Sequence, residues 1–420
     1  MRLLCTGDVH LGRRPTRIPE HLVPDQTPFS TRAIWERIVT LAIDEQVDAL
    51  LISGDLVDHD NRFFEALGPI DAGITRLAAA GIPAIAVAGN HDYDVLPPLA
   101  DRFGDAFRLL GRKQTWERFT LLDKTGDAQL HIDGWSFDAE HVVSAPLDRY
   151  EMPASGNVPV VGLLHTDLDQ TNSRYAPSRL EDLRSKPVAA WLIGHIHAPA
   201  LHQRLASPPV LYPGSPSPLD PGEPGSHGVW FLDIEPDRPA QFTFRPIARL
   251  RYQRLSIDVT GALDVRSAGL RIFDSAEKNL LDLESELGES LPDHILYRVH
   301  LTGRVSFARR TADFDAIRQQ SGGRWSIEQL TNGTRPEVDL EELAKQSSPP
   351  GAIARLIKSL DDPGTPASLL SRARGELERA NGNVRFARIQ DEPVPDGRTL
   401  LENTAWELLD ELLEQRETPV

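Results

Sequence analysis

The chain has 420 residues, 40% of them hydrophobic, with 62 acidic against 45 basic side chains, a formal net charge of -17 and an isoelectric point near 5.2. That length and apolar content provide for two or three domains with real cores, and the acidity excludes a protein that coats nucleic acid by bulk electrostatics, because phosphate contacts need local Lys and Arg. No apolar run reaches the roughly 18 to 20 residues of a membrane span, the opening MRLLCTGDVH lacks a signal-peptide pattern, and the single Cys5 sits in an apolar strand as a packing residue, so the expectation is a cytoplasmic protein with no membrane role.

In chain order, RLLCTG reads as a first strand, and FSTRAIWERIVTLAIDEQ follows with Ile34, Ile38, Leu41 and Ala42 at helical spacing. DALLISG is a second strand, NRFFEALGPIDAGITRLAAAG a second helical stretch through Ile70, Ile74 and Leu77, and IPAIAVAG a third strand. Strands alternating with helices predict parallel pairing with the helices outside. RFTLLDKTGDAQLHIDGWSF differs: two alternating strands around a KTGD turn predict an antiparallel hairpin. VPVVGLLH, AAWLIG, PVLYPGS, HGVWFLDIE, QFTFRPI and YQRLSIDV then extend a mixed sheet system. After about residue 250 the pattern becomes helix (266–287), strand (294–305) and helix (309–320), a smaller α/β domain over 251–345, with KQSSPPGA and DDPGTPAS as linkers or loops. A C-terminal helical region, 346–420, ends in TLLENTAWELLDELLEQRE, where Leu401, Ala405, Leu408, Leu409 and Leu412 share one face. That face serves either packing onto its own domain or docking of a partner along 399–416.

Polar clusters of one kind stand at the strand ends: Asp8 and His10 in GDVH, Asp55 in GDLVD, Asn90 and His91 in GNHD, His165 in LLHTD, and His195 and His197 in GHIH. The carboxyl ends of parallel strands meet along one edge, and residues two apart on an extended segment share a face. Carboxylate, imidazole and amide ligands together suit Mn, Fe or Zn rather than thiolate chemistry, and two metals is the natural count. Each cluster alone is weak, since strand-end histidines often only satisfy backbone groups, but the ordered set points to a metal centre. Within GDLVDHD, Asp60 precedes a helical pattern and reads as its N-cap, and His59 as a surface residue.

The series GDVH, GDLVD, GNHD, LLHTD and GHIH, spread over residues 1 to about 235, is similar to the signature of calcineurin-like metallophosphoesterases. The opening LLCTGDVHLG, the segment LVDHDNRFFEALGPIDAGITRLAAAGIPAIAVAGNHD and the loop LYPGSPSPLDPGEPGSHGVWFLDI, with a smaller domain behind, narrow it to a resemblance to SbcD-like and YhaO-like DNA repair exonuclease subunits. The resemblance implies an α/β fold: a four-layer α-β-β-α sandwich over 1–250, a second, smaller α/β capping domain over 251–345 and a C-terminal helix. It implies two divalent ions, Mn first with Fe, Zn or Mg as alternatives. One would sit on Asp8, His10, Asp55 and His197 and the other on Asp55, Asn90, His165 and His195, with Asp55 bridging. His91 would then be catalytic, protonating the leaving oxygen, and Asp92 would orient its ring or cap a turn. Archaeal and eukaryotic relatives place a histidine where Asp58 stands, and bacterial members commonly an Asp. Arg13, Arg14 and Arg17, just after GDVH, form the best local basic patch, with Arg174 and Arg179 after LLHTD; they read either as a solvated charged face or as substrate contacts, for which Arg13, Arg14, Asp58 and His59 are the candidates. The partners implied are DNA, an SbcC-like coiled-coil ATPase carrying the basic groove, and a second copy in a homodimer. The function so expected is metal-dependent phosphodiester hydrolysis on DNA. A stand-alone phosphoesterase acting on a small phosphodiester or phosphoprotein is the alternative, and a binding scaffold with structural metals a third reading.

Overall fold

The structure, a computed structural model, describes residues 1–19, 22, 27–59, 66–123, 125–170, 172–235, 238–308, 317, 321–360, 367–381 and 397–417. Its contacts divide the chain into two compact units, Met1–Ser256 with Ile272–His300 and Phe314–Thr331, and Ile257–Arg271 with Leu301–Asp313 and Asn332–Val420.

In the first unit the apolar runs become strands buried on both faces, and side-chain alternation decides which core each residue enters. The strands are β1 (Arg2–Thr6), β2 (Ala49–Ile52), β3 (Ala84–Ala86), β4 (Phe107–Leu109), β5 (Glu117–Leu122), β6 (Ala128–Trp135), β7 (Val160–His165), β8 (Ala190–Gly194), β9 (Ala200–His202), β10 (Val210–Tyr212), β11 (Gly228–Asp233) and β12 (Gln241–Pro246). They form two six-stranded sheets, ordered β12-β11-β1-β2-β3-β4 and β5-β6-β7-β8-β10-β9. The β1 to β4 pairings are parallel, as are β6 with β7, β7 with β8 and β8 with β10, while β5 and β6 are the expected antiparallel hairpin. Leu3 and Cys5 of β1, Leu51 of β2 and Ile85 of β3 point into the core between the sheets, against Ile132, Val161, Leu163 and Leu192. Leu4, Leu50 and Ile52 point the other way, into a core closed by α1 (Thr31–Asp44), α2 (Leu67–Ala79) and α3 (Leu96–Phe103). Helix α1 starts where Ser30 accepts the Ala33 N–H at 3.2 Å, an N-cap one residue before the first helical position.

The fourth layer is thin. Trp135, Leu164, Trp191 and Ile193 on the outer face of the second sheet are covered by Leu183 of the short helix α4 (Leu180–Arg184) and by loop residues such as Phe137, Val142 and Leu147. A charge is buried at this edge: Asp133 is fully buried and takes Arg118 Nε and Nη2 at 2.6 and 2.7 Å and the Tyr150 hydroxyl at 2.7 Å. Breaking a buried pair by removing one partner leaves an uncompensated charge. Arg118→Met is therefore expected to destabilise the unit by about 3 to 5 kcal/mol in urea unfolding, whereas removing both charges together, in Arg118→Met with Asp133→Leu, should recover most of the loss.

The first unit runs unbroken to Ser256, close to the boundary expected at residue 250, and also takes in Ile272–His300 and Phe314–Thr331. Leu250, Tyr252 and Leu296 are buried with Phe29, against which Ile18 and Leu22 also pack, so the strands Leu250–Asp258 and His294–Thr302 begin within the first unit's core. The predicted strand at 294–305 and helix at 266–287 are present, the latter as Val265–Leu287. Of the helix expected at 309–320 only Ile317 is described, and the N-cap assigned to Asp60 lies outside the described residues.

In the second unit, the helix Gly397–Glu417 buries Ala405 and Leu409 with Leu343, Ala354 and Ile357, while Leu408 is 42% exposed. Arg304 locks the same helix by a two-pronged contact to Asp410, at 2.9 and 2.8 Å, with its guanidinium 4.0 Å above the Trp406 ring. Much of the apolar face read from sequence is therefore turned onto its own unit. Among the described residues no helix is long and apolar enough to cross a membrane.

Candidate metal centre

The carboxyl ends of β1, β2, β3, β7 and β8 bring the polar clusters together. Donor atoms of Asp8, His10 and His197 lie within 4.8 Å of one another, as do those of Asp8, Asp55 and His165, and of His10, Asp55 and His91. Asp8, His10, Asp55 and His165 are each at most 2% exposed. The chain reaches this density by bending into the left-handed region at Asp8 (φ 50), His10 (φ 49), Asp55 (φ 51) and His195 (φ 113). Residues with a side chain pay roughly 1 kcal/mol or more for that conformation, and such strain gathers at functional sites. The β1–β2 pairing also runs on past the strands, through Asp8 N–H to Gly54 O at 3.0 Å and His10 N–H to Asp55 O at 3.0 Å, which sets the two motifs side by side. Gly89 explains the glycine of GNHD: a Cβ there would overlap Asp55 Oδ1 and crowd the His165 ring.

Hydrogen bonds settle which ring nitrogens face inward. His165 Nδ1 lies 3.0 Å from the Ser53 carbonyl, which can only accept, so this nitrogen carries the hydrogen. The bare Nε2 then faces two further acceptors, Asn90 Oδ1 at 3.1 Å and Asp55 Oδ2 at 3.4 Å. His10 Nδ1 meets Asp58 Oδ1 at 3.2 Å and His197 Nδ1 meets Glu223 Oε1 at 2.7 Å, which turns their Nε2 atoms toward each other across 3.1 Å. Imidazole nitrogens of His10, His165 and His197 and the Asn90 amide oxygen gather beside two buried carboxylates, Asp8 and Asp55, and hard-to-borderline divalent ions would match this donor set. The residues present fit a dinuclear centre.

The electrostatics have the same cause. Burial pushes Asp8 above the ordinary carboxylate range and Asp55 pushes it further, against the pull of His165, His197 and His10. Burial would raise Asp55 too, but the rings of His165, His10 and His91 outweigh it and hold it low. Burial, with His165 beside it, drives His195 down to about 3. His197 goes the other way: burial is outweighed by its bond to Glu223 and by Asp8, so its ring is raised.

Not every expected residue lands as read. His195 belongs to none of the three close clusters; its backbone N–H donates to both Asp8 oxygens, at 3.1 and 3.2 Å, and its ring lies 5.3 Å from that of His165 and 4.8 Å from Tyr175. Asp92 does not orient His91. Its carboxylate is taken up by the backbone N–H groups of Leu56, Gly89 and Val57 at 2.7, 2.8 and 3.4 Å, a clamp between the GDLVD and GNHD turns, which is the capping alternative. Among the described residues the carboxylate nearest the His91 Nδ1 is Asp58, at 3.9 Å, and the ring is one-third exposed and edge-on to His10 at 4.8 Å. Asp58, expected at the substrate, is 7% exposed and turned to His10. His59 is half-buried with its ring 6.4 Å from that of His91. Arg13 is half-buried close to His197, and Arg14, Arg17, Arg174 and Arg179 are exposed, Arg17 with an ion pair to the buried Glu328 at 3.3 Å. Sequence reasoning missed Glu223 and the Ser53 carbonyl. The available signal was two carboxylates and one histidine, Asp220, Glu223 and His227, inside an otherwise Pro-, Gly- and Ser-rich loop after GHIH.

Comparison with known proteins agrees with this geometry. The family model of the calcineurin-like phosphoesterases matches residues 1–199, a span that holds every candidate ligand named above. The uncharacterized metallophosphoesterase YhaO of Bacillus subtilis is 25% identical over 254 residues, 59% of this chain, and the match spans 60% of that protein's length. The DNA double-strand break repair protein Mre11 of Aeropyrum pernix is 26% identical over 347 residues, 77% of this chain and 78% of that one. The SbcD component of the nuclease SbcCD of Rhodobacter capsulatus is 25% identical over 282 residues, 56% and 66% of the two chains. With its buried carboxylates and imidazoles set on the matched strands, this chain carries a calcineurin-like metallophosphoesterase domain.

Proposed function

We propose that the chain is the nuclease subunit of a DNA-processing complex, hydrolysing phosphodiesters at DNA ends with Mn and working beside an SbcC-like coiled-coil ATPase. The observation that carries the choice of substrate is the reach of the similarity. The match to the archaeal break-repair protein extends over 347 residues, well past the 199 of the family model, and so takes in chain beyond the catalytic strands, which a phosphoesterase for small substrates need not share.

When bound, the two ions supply Lewis-acid charge to the phosphoryl oxygens and activate water near neutral pH. The remaining work falls to the chain. Asp55 accepts the His91 N–H at 2.9 Å and so ties the GNHD turn to the centre, leaving the partly exposed His91 ring at the rim to deliver a proton to the departing oxygen. Arg13 and Arg14, directly after GDVH, supply cationic contacts for flanking phosphates. A net charge of -17 opposes DNA at long range, which suits a division of labour in which the ATPase carries the basic groove.

An end-labelled linear duplex incubated with Mn is the direct test. Nucleotide release is expected from the purified chain, accelerated by the ATPase partner with ATP and abolished by chelation. If DNA stays intact in both conditions while an aryl phosphodiester is turned over, the stand-alone phosphoesterase takes its place.

A further inference from the structure

The loop after β10 holds a carboxylate that neither the motif series nor the chemistry above uses. Glu223 Oε2 accepts from the Leu219 N–H at 2.9 Å and from the Ser215 hydroxyl at 3.2 Å, so this oxygen is saturated by the loop's own donors. Oε1 is left for His197 Nδ1 at 2.7 Å. The same loop grips His197 a second time through its backbone, where Ser215 N–H donates to His197 O at 2.9 Å and Gly214, at φ 74, packs too closely for any Cβ. Behind it, His227 lies between two carbonyls, with Nδ1 2.8 Å from Ser215 O and Nε2 3.1 Å from Glu223 O, and so backs the same loop. The outer side of the loop is tied to the segment that follows GDVH, by Thr16 N–H to Leu219 O at 3.0 Å and Thr16 Oγ1 to Asp220 Oδ2 at 2.9 Å.

We infer that Glu223 is a positioning residue for the metal centre: it holds His197 as the Nδ1–H tautomer, with a bare Nε2 aimed at the Asp8 and His10 side, and so sets the affinity of one of the two metal positions. The inference rests on the dinuclear reading of the site, not on the choice of DNA as substrate. Its chemistry predicts an unusual order of variants. The backbone N–H of Leu219 cannot turn away, so in Glu223→Gln the amide oxygen must take the Oε2 position and the NH2 must face His197 Nδ1. That nitrogen then has to accept, its hydrogen moves to Nε2, and an N–H points into the place of a ligand lone pair. Glu223→Ala imposes no tautomer and leaves Nδ1 to solvent.

Mn binding to the full chain, followed by calorimetry, tests this without reference to turnover. Glu223→Gln should weaken one of two Mn sites by about 10- to 100-fold and leave the other, and Glu223→Ala should weaken it less. A mere brace for the loop gives the opposite order, with the near-isosteric Gln harmless and Ala damaging. Affinity for Glu223→Gln within about threefold of wild type, or Ala worse than Gln, overturns the assignment. If the Gln variant does not fold, the wild-type chain still decides: 15N spectra of the metal-free protein at alkaline pH should show His197, assigned by its loss in His197→Gln, as the Nδ1–H tautomer, and an Nε2–H tautomer overturns the proposal. A chain that shows the Gln deficit in Mn binding but cuts no DNA supports the role of Glu223 and removes only the proposed substrate.

Discussion

Asp55→Asn is expected to lower phosphodiester hydrolysis by about 10³-fold or more, since the charge it removes underlies several kcal/mol of transition-state stabilisation by the ions. A neutral amide fits that position but changes what it offers to its neighbours. Oδ1 accepts the His91 N–H at 2.9 Å, while Oδ2 lies 3.4 Å from the bare Nε2 of His165 and 3.9 Å from that of His10. An Asn that keeps its oxygen on the His91 N–H places its NH2 against the imidazole lone pairs and closes the space between them with hydrogen bonds of its own. The consequence reaches stability. In the wild type, buried Asp8 and Asp55 repel each other until cations are bound, so Mn at about 100 times its Kd should stabilise the domain by ~2.7 kcal/mol and raise Tm by several degrees. Asp55→Asn should melt no lower than the wild type in chelator and respond little to Mn. Wild-type rates in the variant, or an unchanged Mn-dependent Tm shift, would remove Asp55 from the centre.

The second large effect is expected at His91, and it separates protonation from placement. His91→Gln keeps the backbone N–H that Asp55 accepts and removes a ring whose Nδ1 has no hydrogen-bond partner among the described residues, so Mn content should stay at the wild-type level. Loss of a general acid costs about 10²- to 10⁴-fold, and only where the leaving group needs a proton. DNA, which departs as an alkoxide, should show the full loss, and an aryl diester leaving as a nitrophenolate a far smaller one. Equal losses on the two substrates would make His91 a residue that positions the phosphate and would leave the proton to another source.

Much of this centre was legible along the chain. Apolar runs that end in Gly and then a carboxylate or imidazole announce strands whose ends carry ligands, because a doubly buried strand tolerates such groups only where it leaves the core. Asp8, His10, Asp55, Asn90, His165 and His197 meet as that pattern requires. The C-terminal helix was equally visible as an apolar face, but its alternatives could not be separated by periodicity. Only packing placed Ala405 and Leu409 inside the second unit and left Leu408 outside.

What sequence alone determined, then, was residue type and local direction: which strands exist, where they end, and which donors stand there. Tertiary structure decided the division of labour among the carboxylates. Asp92 and Asp58 are close in sequence to His91 and Asp55, yet one is consumed by the backbone of Leu56, Val57 and Gly89 and the other turns to His10, 48 positions away. Glu223 finds His197 26 residues back along the chain, and His10 faces His197 across 187. Burial and turning leave a periodic mark on neighbouring positions, so they can be read along a chain. A hydrogen-bond partner is chosen by distances of about 3 Å between segments that only the folded sheets bring together, and leaves no such mark.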